Sequence, residues 1–235
     1  MDRRFYPSYG HNWDNARFRE VILRHVTRTS RVLDYGAGRG ALPQMNFRGI
    51  AAFVAGVDPD PVVRDNPYLD EARVLPLPSG RIDYPDESFD VVFAANVMEH
   101  VTDPATTLRE IGRVLRPGGV LLFKTPNRGH YVPLIARLTP HRFHELVNRL
   151  RGRAAHDTFP TVYRCNSAGQ IRSAAASAGL ELAELQRWEG RPEYLRLHPL
   201  LYVVGLAYER LVNAVPLLAA ARCLLVATLR KPAGR

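Results

Sequence analysis

Apolar positions along this chain change their period several times, and each change marks an element. Residues 14–28 (DNARFREVILRHVTR) set Phe18, then Val21 or Ile22, then His25 or Val26 at helical spacing, with Asn12 or Asp14 placed to cap the helix. Val32-Leu33-Asp34 is a short apolar run ended by an acid. Glycines at 36, 38 and 40 follow it, which predicts a strand turning into a helix. A second run, Gly49 to Asp58, also ends on an acid, and the proline-rich stretch 59–88 holds a short strand near Arg73 to Leu75. Phe89 to Ala94 is apolar apart from Asp90, with β-branched Val91 and Val92 at its centre, the pattern of a parallel strand buried on both faces. Asp103 and Pro104 open a helix that runs to Leu115, Arg116-Pro117-Gly118-Gly119 ends it, and Val120 to Lys124 is the next strand.

This alternation predicts an α/β fold with a mostly parallel, doubly wound sheet. Beyond residue 125 the pattern changes. Residues 126–165 are rich in arginine, histidine, proline and aromatics, too long for a plain connection, and placed where such sheets carry functional insertions. Ser167 to Ala178 then reads as a helix stopped by Gly179, Leu180 to Trp188 as a strand, and Arg222 to Leu229 as the final strand. Between them, Leu200 to Val212 is an amphipathic helix whose stripe is Leu200, Val203, Val204, Ala207 and Leu211, expected to pack on the sheet. Arginines at 187, 191, 196 and 210 make the same stretch suited to peripheral membrane contact or a lipid-linked acceptor. The expected organisation is an N-terminal helical lid (1–30), a cofactor-binding core (31–125), a substrate cap (126–165) and the rest of the same α/β domain (166–235).

Composition changes this picture little. The net charge is +9, and of the 32 basic residues only Lys124 and Lys231 are lysines, so the surface favours anionic partners without naming one. Two distant cysteines, Cys165 and Cys223, and an N-terminus without an apolar signal core make a reducing cytoplasm the expected compartment. No run reaches the roughly 18 apolar residues of a spanning helix.

The candidate chemistry lies around Gly36-Ala37-Gly38-Arg39-Gly40-Ala41, which satisfies both GxGxG and GxGxx(G/A). Asp34 immediately before the turn would repel a pyrophosphate but suits a cationic ligand, and Asp58 at the end of the next strand suits a ribose diol. With PDESFDVVFAANVMEHV (85–101) and LRPGG (115–119), the chain resembles the class I S-adenosylmethionine-dependent methyltransferases of the small-molecule, type 11-like group. DYGAGRG corresponds to that family's first motif and GVDPD to its second. The resemblance implies a Rossmann-like seven-stranded sheet with an antiparallel last strand, topped by a helical or loop cap. It also implies that Gly36, Ala37 and Gly38 pack against the methionine and ribose of the cofactor. Asp34 would then serve its ammonium, Asp58 its ribose, Pro59 its adenine, and Asn96 the floor beneath the sulfonium.

Two departures qualify the family pattern. Leu75-Pro76-Leu77-Pro78-Ser79-Gly80 has Pro78 where the family places an acid that reads the adenine amine, leaving Ser79 or a backbone carbonyl for that contact. Asn96-Val97-Met98-Glu99-His100 lacks the first carboxylate of the ExxEH metal site some relatives carry, so no metal is expected, and His100 is the candidate general base. The insertion adds His130, Tyr131, His141, His144, His156 and Tyr163 as an aromatic rim for an acceptor, and Tyr6, Tyr9, His11 and Trp13 as a lid. The expected activity is O-methylation of a small molecule such as a sugar, a glycolipid precursor or a natural-product phenol. An RNA substrate, a catalytically silent scaffold and a nicotinamide-dependent oxidoreductase are the alternatives. Nucleic acid is disfavoured, because the chain has no appended RNA-binding module and no (N/D)PP(Y/F) tetrapeptide.

Overall fold

The computed structural model describes residues 2–7, 9–10, 12–133, 160–193, 195–196 and 198–234. Strands β1 (Arg31–Tyr35), β2 (Phe53–Asp58), β3 (Glu71–Val74), β4 (Phe89–Ala95), β5 (Leu115–Pro126), β6 (Glu181–Trp188) and β7 (Leu224–Arg230) form one sheet in the order β3-β2-β1-β4-β5-β7-β6. The first five are parallel, and β7 runs antiparallel between β5 and β6. This is the expected Rossmann-like sheet. The order reverses between β1 and β4, which opens a crevice at their carboxyl ends, the place where such sheets bind ligands.

Five helices flank the sheet among the described residues: α1 (Asp2–Phe5), α2 (Trp13–Leu23), α3 (Pro104–Val114), α4 (Ala168–Ser177) and α5 (Pro199–Ala214). On one face Leu33, Val92, Leu121 and Phe123 pack with Leu108 and Ile111 of α3 and Ile171 and Ala175 of α4. On the other, Val32, Val91, Phe93 and Leu122 meet Phe18 and Ile22 of α2, Phe47 and Trp188. Helix α3 begins as its sequence predicts: the Asp103 side chain accepts from the Thr106 amide and Pro104 fills the first turn. Ser167 caps α4 in the same way. At α2, Asn12 is the N-cap residue without a side-chain cap bond, because Asp14 is turned inward to an ion pair with Lys124.

Two expectations fail. No helix follows the glycine turn; residues 36–52 are a turn and a single 3-10 segment, Pro43–Met45. Pro43 has no amide hydrogen to give a helix, and Arg19 donates to the Gln44 and Asn46 carbonyls (2.6 Å each), holding the loop in a non-helical path. Helix α5 exists where expected, but its stripe does not pack on the sheet. Leu200, Val203, Val204 and Leu211 are all more than half exposed, and Tyr202, Gly205, Glu209 and Val212 are buried instead.

Candidate active site

The carboxyl ends of β1 and β2 are joined tightly. The amides of Gly36 and Ala37 both donate to the Val57 carbonyl (2.8 and 3.2 Å). Asp58 then reaches back: Oδ2 accepts from the Gly38 amide at 2.9 Å and Oδ1 from the Asp60 amide at 2.8 Å. Each carboxylate oxygen keeps a lone pair for a further donor, which is what two vicinal hydroxyls require. Gly36 and Gly38 have φ of +80° and +50°, and a Cβ on Gly38 would meet nothing within 4 Å, so the turn leaves open space above it.

Asp34 lies beside this turn, 7% exposed. Burial, with the Asp58 charge adding to it, pushes its carboxyl well above the usual carboxylate range. A buried acid with a raised pKa at the rim of an open cradle suits a cationic partner, and the ammonium of an amino-acid-bearing nucleoside supplies one.

Asn66 is a residue that sequence reasoning missed. Its Nδ2 donates to the carbonyls of Ala37 (3.0 Å) and Gly38 (3.2 Å), and its Oδ1 accepts from the Tyr68 amide. It clamps the glycine turn from outside. The only sequence signal is its place at the end of the turn Pro61–Asp65, whose cap is Asp60.

At the end of β4, Asn96 adopts a left-handed φ of +59° while its amide donates to the Lys124 carbonyl at 2.9 Å. A non-glycine residue in that region costs energy that the surrounding structure must offset. Pro59 is exposed on the cradle side of β2. After β3 the segment 75–80 turns back on itself, with Ser79 Oγ donating to the Pro76 carbonyl at 3.2 Å.

The loop after β4 is fastened by Glu99. Its buried carboxylate accepts from Thr125 Oγ1 (3.1 Å), Thr125 accepts from Asn166 Nδ2 (2.8 Å), and the Glu99 carbonyl accepts from the Val162 amide (2.8 Å). Burial raises the Glu99 carboxyl above its usual value. Among the described residues no cluster of three potential ligands suits a metal ion. His100 stands on this braced loop with Nδ1 3.0 Å from the Pro160 carbonyl. A carbonyl only accepts, so Nδ1 carries the proton and Nε2 is the basic nitrogen.

A second group of polar residues sits over β5, β7 and β6. Lys124 is fully buried and bonds both Asp14 and Asn15 of α2. His130 is 4% exposed, and burial lowers its pKa to about 4. Its Nδ1 accepts from the Val132 amide (3.4 Å), so its Nε2 proton faces Glu189 Oε2 at 3.5 Å. Glu189 is raised to about 7 by burial, although it accepts from the Cys223 amide at 2.9 Å. The Tyr208 ring meets those of His130 and Tyr131 edge to face, and His130 and Tyr131 are tilted against each other. The N-terminal aromatics close over this group: Tyr6 donates to Glu209 of α5 (3.0 Å), Tyr9 lies between Tyr6 and Trp13, and Trp13 presses on Gly190. The 35 residues between β6 and β7 are thus a second cap that the sequence pattern did not reveal. His11, His141, His144 and His156 lie outside the described residues.

The family model described as a methyltransferase domain matches residues 10–185. The chain belongs to the S-adenosylmethionine-dependent methyltransferases. It is 31% identical over 188 residues to the ubiquinone biosynthesis O-methyltransferase of Thiobacillus denitrificans, covering 74% of this chain and 75% of that one. To the enzyme of the same name from Aromatoleum aromaticum it is 33% identical over 167 residues, 66% of this chain and 65% of the other. The fold is shared with the [4+2]-cyclase SpnF at a TM-score of 0.58 and 20% identity, over 93% of this chain and 81% of that one. Membership makes the protein a methyltransferase of the class I fold that takes its methyl group from S-adenosylmethionine and passes it to a small molecule. No helix among the described residues is long and apolar enough to cross a membrane.

Proposed function

We propose that the enzyme methylates a hydroxyl oxygen, on a phenol or a lipid-linked small molecule, and works at a membrane surface. The observation that carries the oxygen acceptor is the 31% identity, over three quarters of both chains, to an O-methyltransferase of ubiquinone biosynthesis. The SpnF likeness cautions that the fold alone does not fix the reaction.

S-adenosylmethionine supplies an electrophilic methyl on a sulfonium. The residues at the glycine turn fit it: Asp34 answers its ammonium, Asp58 its ribose diol, and Gly36, Ala37 and Gly38 form the wall of the cradle. Pro59 would lie against the adenine, whose amine a backbone carbonyl of the segment 75–80 or Ser79 would read, and Asn96 would form the floor beneath the sulfonium. The chemistry the bound cofactor would supply is in-line displacement, the acceptor oxygen taking the methyl group as the sulfur leaves with the carbon–sulfur bond pair. The acceptor proton passes to Nε2 of His100, whose Nδ1 is held on the Pro160 carbonyl. The N-terminal lid and the β6–β7 insertion would bound the acceptor pocket.

The test is transfer of a labelled methyl group to a catechol and to a polyprenylated phenol, beside an amine acceptor. Label on the phenolic oxygen is expected. Label only on the amine, with S-adenosylhomocysteine bound normally, would overturn the oxygen acceptor while leaving the cofactor assignment in place.

A further inference from the structure

Helix α5 is built inside out. Its buried positions are Tyr202, Gly205, Glu209 and Val212, whereas Leu200 (71% exposed), Val203 (51%), Val204 (61%) and Leu211 (52%) face outward. Residues 200, 203, 204, 207 and 211 recur at helical spacing, so they form one stripe, and the next turn (Pro216–Ala221) extends the apolar surface with Leu217, 92% exposed. A patch of this kind marks an interaction surface, since isolated domains seldom leave contiguous apolar area in water.

Charge selects the partner. The one acid of α5, Glu209, is buried and occupied by Tyr6 and Asn213. The arginines near the helix are Arg210, its side chain 62% exposed and 3.4 Å from the buried Glu209, Arg196, which pairs with Glu193 at 2.9 Å, and Arg4 on α1, whose Phe5 ring lies 6.4 Å from Tyr202. A second copy packed on this stripe about a two-fold axis would bring Arg210 toward its own counterpart with no exposed acid of α5 to meet it. Anionic headgroups complement that rim, and acyl chains accept the stripe. The helix has 16 residues, about 24 Å long, too short to span a bilayer but suited to lying in its interface.

We propose that the outer face of α5, with Leu217, is the docking surface of this enzyme on an anionic phospholipid bilayer. The inference rests on the reading that the acceptor is drawn from a membrane, and it names the surface that reaches it. The inner face of the same helix carries Glu209, the anchor of Tyr6, so the docked element borders the acceptor side of the site.

Sedimentation of the full chain with vesicles of phosphatidylcholine, with and without phosphatidylglycerol, tests this. Binding is expected to the anionic vesicles, to weaken in high salt, and to fall roughly tenfold or more in the Val204→Glu/Leu211→Glu variant. That variant should keep its S-adenosylhomocysteine affinity and its transfer to a water-soluble catechol. No binding by the unaltered chain, or binding that survives both substitutions, would overturn the proposal. So would a concentration-dependent dimer dissolved by the substitutions, or a lowered melting temperature without vesicle binding, which would assign the face to a second copy or to this chain itself. The catechol assay reads the methyltransferase reaction independently of every vesicle result.

Discussion

Gly36 and Val97 approach so closely that a Cβ on Gly36 would lie 2.3 Å from Val97 Cγ2. The first glycine of the cofactor turn is therefore fixed by the loop after β4 as well as by its φ of +80°. Gly36→Ala should destabilise the protein by roughly 2–4 kcal/mol, the sum of a left-handed alanine and an overpacked contact. In denaturant titrations the Gly36→Ala/Val97→Ala double variant should recover the packing share alone. A double variant no more stable than Gly36→Ala would remove Val97 as the cause.

Asn66 bonds the Ala37 and Gly38 carbonyls and packs against Gly40, so its loss should loosen the cradle without emptying the core. Asn66→Ala is expected to weaken S-adenosylhomocysteine binding by about 1–2 kcal/mol, the worth of its two hydrogen bonds. Calorimetry measures this directly, and unchanged affinity would show that the turn holds its shape unaided.

The carboxyl of Asp34 is raised by burial, so it takes up its proton at a higher pH than an ordinary carboxylate. A cationic ammonium binds the ionised form, and affinity should therefore fall as pH drops through that raised value. Titrations with S-adenosylhomocysteine carried toward acid should show the loss at a higher pH than an ordinary carboxylate would give. Asp34→Asn should bind more weakly and with a flat profile. A sloping profile in that variant would place the titrating group elsewhere.

His100→Gln keeps a side chain of similar reach but removes the basic nitrogen. Turnover should drop roughly 100-fold or more while cofactor affinity stays level. A variant that retains the rate would leave His100 as a brace for the Pro160 carbonyl.

Much of this geometry is legible in the residues themselves. Asp34, the glycines and Asp58 stand at strand ends because apolar runs stop there, and Asp103-Pro104 announces α3 by chemistry that acts within one turn. Other features depend on contacts far apart in the chain. Periodicity locates α5 but says nothing about which way its stripe faces; that is decided by Tyr6 and Glu209, 203 residues apart. The glycine turn fails to enter a helix because Arg19 and Pro43 hold it otherwise. Lys124 reads as the polar end of a strand, and it is buried because Asp14 and Asn15 come to it from α2.

Glu189 provides a further check on the cap. Its pKa in the fold is about 7 against an ordinary 4.5, so the fold favours the protonated form. That contribution is complete below about 4.5 and is lost as pH rises through about 7. Stability should consequently decline by about 1–2 kcal/mol between about pH 6 and pH 8, a slope that Glu189→Gln should flatten in thermal melts. An equal slope in the variant would assign it to another group.

Strand β7 follows β6 in the chain and yet lies inside the sheet, with β6 at the edge. Because β7 is inserted between β5 and β6, neither β6 nor the 35 residues that follow it has a seat until Leu224–Arg230 has been made. Those residues line no part of the cofactor cradle. A chain cut short at Cys223 would nevertheless lose the strand that seats β6, and with it the footing of the 35 residues that carry Glu209, the hold on Tyr6. The second cap and the N-terminal aromatics thus depend on a strand that neither of them contains.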